Sequence, residues 1–395
     1  MKTAFLFFLF LGFALPSAYI IPLGFALEYR ELALIFLPII NSFIQSENRV
    51  FYNPIGFKRV KKTIYAFIVV VLITEFLLKF FLFNQSVGDG IKCIRLGLPL
   101  FSGLLLLTQG LRVNVMLVWR TLLLAVLVSV LLSFVNLFVS LPFSTSLSDN
   151  DVERGFTGRI GNLNFSFGII GLYLLMEKKN EFYLKGGLVA RASSISVVAL
   201  VGAFNRTYLA VLLLEFALLL FRRFTVKKIL KMTFLFGLLF SGMAYFYESN
   251  SRLQNQIDKR IFSILSGDVS IEESAIENNR DHIVEGVRER ISEGYWIIGL
   301  PYRTPIYVKQ ARFDLEEMYM SKIDTSLVNL LLRYGIFPFV LLGYVFIRLI
   351  KYNIHMFNFI FFLFLIASLN IDALFSHNSV FFVLFLFMIS THTPK

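Results

Sequence analysis

Lys58-Arg59-Val60-Lys61-Lys62 is followed at residues 63–83 by the apolar run TIYAFIVVVLITEFLLKFFLF. At 1.5 Å per helical residue that run is about 30 Å long, the thickness of the hydrocarbon core of a bilayer. Basic residues flanking such a run are the pattern of a membrane-crossing helix anchored on its cytoplasmic side. Outward from here, further apolar runs lie at 31–46, 93–110, 114–141, 160–176, 186–204, 207–221, 229–246, 326–349, 355–372 and 378–391. At the start, Met1-Lys2 and an apolar stretch before Leu15-Pro16-Ser17-Ala18 resemble a secretory signal. Apolar sequence continues to Leu27, however, which favours a retained first span over roughly 3–27. Twelve spans result. Composition agrees: 57% of the 395 residues are apolar, 16% are charged and the mean hydropathy is +0.72. About 12 spans of roughly 20 residues leave no room for a large soluble catalytic domain. The 46 Phe and 16 Tyr suit a lipid-facing helical surface, whereas a barrel would need short alternating strands. The expected fold class is an all-α polytopic integral membrane protein with one large external loop containing short helices.

Basic clusters at Lys58–Lys62, Lys178-Lys179 with Lys185, Arg222-Arg223 with Lys227-Lys228, Arg348 with Lys351, and Lys395 fall on even-numbered connections or the end. With Lys2 they predict that both termini are cytoplasmic in a multi-pass protein of the cytoplasmic (inner) membrane. Parity then requires residues 188–221 to cross twice, with a reversal near Asn205-Arg206-Thr207 on the external side. Three segments follow: 1–246 with spans 1–9, an external or periplasmic loop at 247–325, and 326–395 with spans 10–12. Residues 247–324 hold 14 of the 26 acidic residues and only 10 of the 38 basic ones. Inside this loop, 278–293 reads as an amphipathic helix. Asn278 or Asn279 caps it, Ile283, Val287 and Ile291 form its apolar stripe, and Gly294 stops it.

A lone cysteine, Cys93, and four dispersed histidines argue against a disulfide, a thiolate metal site or a local metal motif, so neither metal nor cofactor is expected. The net charge of +12 is spread over short clusters between apolar runs, which argues against nucleic acid as a partner. Arginines at membrane edges are costly to desolvate, so each faces a polar cavity, a carboxylate, an anionic ligand or the headgroups. Arg95, Arg159, Arg191 and Arg206 are the candidates, with Arg159 and Arg206 on the external side.

Three stretches carry a resemblance: Ala203-Phe204-Asn205-Arg206-Thr207-Tyr208-Leu209-Ala210; Arg280 followed by Trp296 and Ile298-Gly299; and Asp324-Thr325-Ser326-Leu327 leading to Arg333-Tyr334-Gly335-Ile336. With Arg159-Ile160-Gly161-Asn162-Leu163-Asn164 as a partial fourth, the chain resembles the O-antigen polymerase and ligase family, including Wzy-type polymerases. The motifs are short, and the likeness is weak upstream of about residue 155. Ligases of the family usually carry His where this chain has Asp324, a departure that favours polymerase.

The resemblance implies a metal-independent glycosyltransferase acting on undecaprenyl-diphosphate-linked oligosaccharide, polymerising repeat units of O-antigen or a related surface polysaccharide. Membrane lipid and a chain-length regulator protein would be its partners. Arg206 and Arg280, helped by Arg159, would bind the departing diphosphate; Asp324 would orient or deprotonate the acceptor hydroxyl; Tyr295 and Trp296, with Tyr302 and Tyr307, would stack on sugars. Each residue has a plainer alternative. Asp324 is equally a helix N-cap, Arg280 a solvated partner of Glu277 or Asp281, His282 a surface residue, and the aromatics interfacial anchors. Rival functions are an O-antigen ligase using lipid A core as acceptor and a lipid-linked glycan transporter or flippase, the latter disfavoured by the lack of a detectable repeat.

Overall fold

Phe57–Phe83 forms one continuous helix of 27 residues, about 40 Å long. It comprises α3 (Phe57–Ile73), a π-helical turn (Thr74–Leu78) and α4 (Lys79–Phe83). Phe57, Val60, Ile64, Phe67 and Val71 are buried at three- and four-residue spacing, and Thr74, Glu75 and Lys79 continue the buried stripe. The other side exposes Val69, Leu72, Leu77, Phe80, Phe81 and Leu82. Lys58, Arg59 and Lys62 stay exposed at its start, whereas further along Glu75 and Lys79 are buried while these large apolar side chains remain outside. Asn84, left-handed at φ 52, ends it.

The computed structural model describes residues 1–14, 20–21, 27–44, 57–138, 280–302, 304–310, 313–319, 326–351 and 380–391, and single positions at 230, 237, 241, 248 and 254. Its elements before Phe57 are α1 (Lys2–Ala14), β1 (Ile20–Ile21), β2 (Leu27–Glu28) and α2 (Tyr29–Phe43). After α4 come α5 (Val87–Leu96), α6 (Leu98–Gln109), α7 (Val115–Phe138), α8 (Arg280–Ser292), β3 (Pro305–Gln310), β4 (Phe313–Tyr319), α9 (Ser326–Tyr334), α10 (Ile336–Lys351) and α11 (Val380–Thr391).

The expectation of about 12 membrane-crossing helices is not met. Among the described residues one helix, Phe57–Phe83, is long and apolar enough to cross a membrane, or two if the bent pair α5 and α6 counts as a single span. Counting apolar residues does not register breaks in the backbone. The described residues of the run at 3–27 are the helix α1 to Ala14 and the strand residues Ile20-Ile21 and Leu27, with β1 paired antiparallel to β2, which is not one continuous helix. The run at 93–110 bends by 67° between α5 and α6, where Gly97 is followed by Leu98 and Pro99. The run at 326–349 breaks at Gly335, φ +83, a conformation closed to most L residues. The described residues of the run at 378–391 form the 12-residue α11, about 18 Å. The runs at 160–176, 186–204, 207–221, 229–246 and 355–372 lie outside the described residues.

Multi-pass localisation in the inner membrane with both termini cytoplasmic rested on that count and is withdrawn with it. So is repeat-unit polymerisation at an external face built from twelve crossings, together with its O-antigen ligase and flippase alternatives. The chain is not all-α either: in the loop expected to hold only short helices, β3 and β4 form an antiparallel hairpin with Pro305 opposite Tyr319 and Val308 opposite Glu316. Ile306-Tyr307-Val308 and Phe313 to Tyr319 supply the β-branched and aromatic residues that suit paired strands.

The chain divides into two units, 1–44 with 113–268, and 45–112 with 269–395. In the first, α1 packs on α2 and α7, with Gly12 close enough to Ala33 that an added Cβ would stand 3.1 Å from its Cβ. In the second, α3 packs on α10 and α6 on α11, where Gly103 admits the Phe382 and Phe385 rings.

Candidate functional site

The second unit buries an ionic centre on the π-helical turn. Lys79 Nζ lies 2.5 Å from Glu75 Oε1, and both side chains are fully buried. The π turn, in which the Lys79 N–H reaches back to Thr74 O, sets this pair on the inward side of the helix. Such turns recur where a helix presents a working side chain. Gln85 Nε2 donates to Glu75 Oε2 (3.1 Å) and to Glu75 O (3.2 Å). Gly90 of α5 makes this approach possible: a Cβ there would meet Glu75 O at 3.1 Å and the Phe76 ring at 3.2 Å.

Two segments from the far end of the sequence close the centre. Lys79 Nζ also donates to Arg333 O (2.5 Å), and the Gln85 Oε1 accepts the Tyr302 N–H (2.9 Å). Asn329 and Arg333 of α9 are themselves buried, and the Tyr334 hydroxyl donates to Cys93 O (2.9 Å) on α5. Cys93 lies in the fields of Glu75, Lys79 and Arg333. Removing such charges from water costs several kcal/mol per ion, roughly, so their presence needs compensating geometry, which the three-way sharing of Lys79 and Glu75 provides. Towards solvent, Ser86 caps α5 by accepting the Asp89 N–H (3.1 Å), Lys92 Nζ stands 3.5 Å from Asp89 Oδ1, and the same ammonium lies 5.3 Å from the Tyr302 ring centre.

The sequence motifs meet above this centre. The described helix α8, Arg280–Ser292, falls within the helix expected at 278–293 and is followed by Gly294 at φ +85; Asn278 and Asn279 lie outside the described residues. Val287 packs with Leu300 and Leu332, and Ile291, Tyr295 and Val328 lie against them. Leu300 N–H donates to Leu332 O (2.5 Å) and Ile336 N–H to Ile297 O (3.3 Å). Gly299 and Gly335, both at positive φ, let the two backbones touch: a Cβ on Gly299 would collide with the Arg333 carbonyl, and one on Gly335 with that of Ile297. The Trp296-Ile298-Gly299 and Arg333-Tyr334-Gly335-Ile336 stretches are therefore one packed substructure. No protein-family model, curated protein or solved structure matches the chain. The family resemblance thus rests on the quoted motifs alone.

Of the residues singled out from sequence, Tyr295 is part-buried against Phe83 (5.7 Å between ring centres) and Trp296 is exposed beside it. Tyr302 joins the centre through its backbone, and Tyr307 lies on β3. Arg95 is part-buried on α5. Arg280 and His282 lie on α8, their side chains outside the described residues, as are Arg159, Arg191, Arg206 and Asp324 entirely. Glu75, Lys79 and Gln85 received no role from sequence, although the signal was present. A Glu and a Lys four apart inside an apolar run share one helix face and can only be stabilised there by each other or by a protein partner.

Proposed function

We propose that the chain is a membrane-bound, metal-independent glycosyltransferase that takes its glycan from a lipid-diphosphate-linked donor of the undecaprenyl class. The observation that carries this reading is the backbone pairing of 297–300 with 332–336, which joins two motifs that the resemblance assigns to one site. The length and apolar composition of the helix Phe57–Phe83 support residence in a membrane, where such a donor is found.

In this reading the anomeric carbon of the donor already carries a good leaving group. The protein's task is to hold the departing diphosphate and to orient an acceptor hydroxyl. Arg280, at the head of α8, binds phosphate oxygens in a two-pronged manner; a guanidinium remains charged throughout and needs no metal for this. Asp324, two residues before α9, receives the hydroxyl proton. Tyr295 and Trp296, on the turn that follows α8, present ring faces to sugar.

The test is to replace the gene in its host by versions encoding Arg280→Ala, Arg280→Lys and the unchanged chain, and to measure the lipid-linked glycan pool. The donor should accumulate with Arg280→Ala and fall again with the unchanged chain, at equal protein in the membrane. A pool that is the same in all strains, including a deletion, refutes the proposal.

A further inference from the structure

The charged pair on the long helix is bonded to the motif segments and not to lipid. Arg333 O sits in the last turn of α9, where carbonyls run out of intrahelical partners because Gly335 breaks the helix. The Lys79 ammonium bonded to it also offsets the negative end of that helix dipole. Glu75 holds Lys79 on one oxygen and Gln85 on the other, and Gln85 passes the connection on to the Tyr302 N–H. One carboxylate thus ties the long helix to two points: Tyr302, beyond the turn that follows α8, and the end of α9, 254 positions from Lys79. An apolar pair of equal size would fill the space yet leave the Arg333 carbonyl without this bond and Gln85 without the carboxylate that orients it. The interlock of Gly299 with Gly335 makes the two tied points move together.

We infer that Glu75, Lys79 and Gln85 are positioning residues for the transfer site, fixing the Tyr295-Trp296 turn and α9 to the membrane helix so that the donor-binding and acceptor-binding segments keep their spacing. This rests on the transferase reading above. None of the three is placed in contact with donor or acceptor; their effect passes through the Tyr302 amide and the Arg333 carbonyl.

The experiment uses the full chain in membranes from its host, with Gln85→Leu, Lys79→Arg and the double variant Glu75→Gln/Lys79→Met beside the unchanged protein. Hydrogen exchange is followed by mass spectrometry in peptides covering 297–302 and 331–336, and consumption of the host's own lipid-linked donor is followed in the same membranes. Gln85→Leu should speed exchange at 297–302 and the double variant exchange at 331–336 at least tenfold, and both should leave α3 protected and lower kcat at an unchanged KM. Lys79→Arg, which keeps a charged donor, should recover most of both. Unchanged exchange in Gln85→Leu and in the double variant overturns the inference, and so does an equal loss of protection along the whole chain, which marks general instability. Faster local exchange in membranes whose unchanged protein consumes no donor supports the tether, while overturning the transferase reading and with it the catalytic purpose assigned here.

Discussion

Replacing Lys79 by Met leaves the Glu75 carboxylate buried with Gln85 as its remaining neighbour of the three, since the ammonium 2.5 Å away is gone. Removing one partner of a buried ion pair costs about 3–5 kcal/mol, whereas replacing both by neutral groups of similar shape is often close to neutral. Cys93 reports the difference. It is the chain's only cysteine, it is buried on α5, and it lies within the field of the pair. A thiol reached only through opening of this unit is labelled in proportion to the open population. At a factor of ten per 1.4 kcal/mol, 3 kcal/mol corresponds to roughly 150-fold faster labelling. The assay is the rate of maleimide addition at Cys93, read by intact mass on protein in membranes. Lys79→Met and Glu75→Gln should each accelerate it by about two orders of magnitude or more, and the double variant by less than about tenfold. If the double variant labels as fast as Lys79→Met, or if the single variant labels at the unchanged rate, the pair is not the stabilised unit described here.

Tyr334→Phe removes the hydroxyl bonded to Cys93 O, and its loss should cost about 1 kcal/mol, seen as a five- to tenfold rise in Cys93 labelling with no change in membrane content. Gly335→Ala places a Cβ against the Ile297 carbonyl at φ +83; strain of about 1–2 kcal/mol from the left-handed backbone adds to that collision, and protease resistance of the 297–336 segment should fall. Gly97→Ala introduces a Cβ 2.7 Å from Phe101 and from the Tyr334 hydroxyl, and should lower the thermal midpoint, while Gly343→Ala, with nothing within 4 Å of the added Cβ, leaves it unchanged or raises it. For the long helix, cysteines introduced at Leu72 and Phe81 in a Cys93→Ser background should react with a lipid-soluble maleimide and resist a membrane-impermeant one; equal reaction with both would rule out lipid burial of that face.

Parts of the architecture were readable from local pattern. The run at 63–83 became most of the helix Phe57–Phe83, and within 278–293 the described residues Arg280–Ser292 are a helix followed by Gly294 with Val287 and Ile291 inward, because helix periodicity and a glycine stop are properties of adjacent residues. Span continuity was read less well. Gly97-Leu98-Pro99 and Gly335 stand in plain view, but an apolar count passes over them, and whether such a residue bends a helix depends on what packs against it. The β3–β4 hairpin was missed because its acidic residues, Asp314, Glu316 and Glu317, made the stretch read as solvated loop.

What the sequence determined by itself is therefore the apolar character of the chain, the lengths between its breakers and the motifs at 280–299 and 324–336. Only the tertiary structure decided that Lys79 bonds Arg333 O and that Gln85 bonds the Tyr302 amide. The reason is physical: periodicity reports which face of a helix is shared by near neighbours, while the partner of a buried charge is chosen by whichever distant backbone group the completed packing brings within 3 Å or so of it.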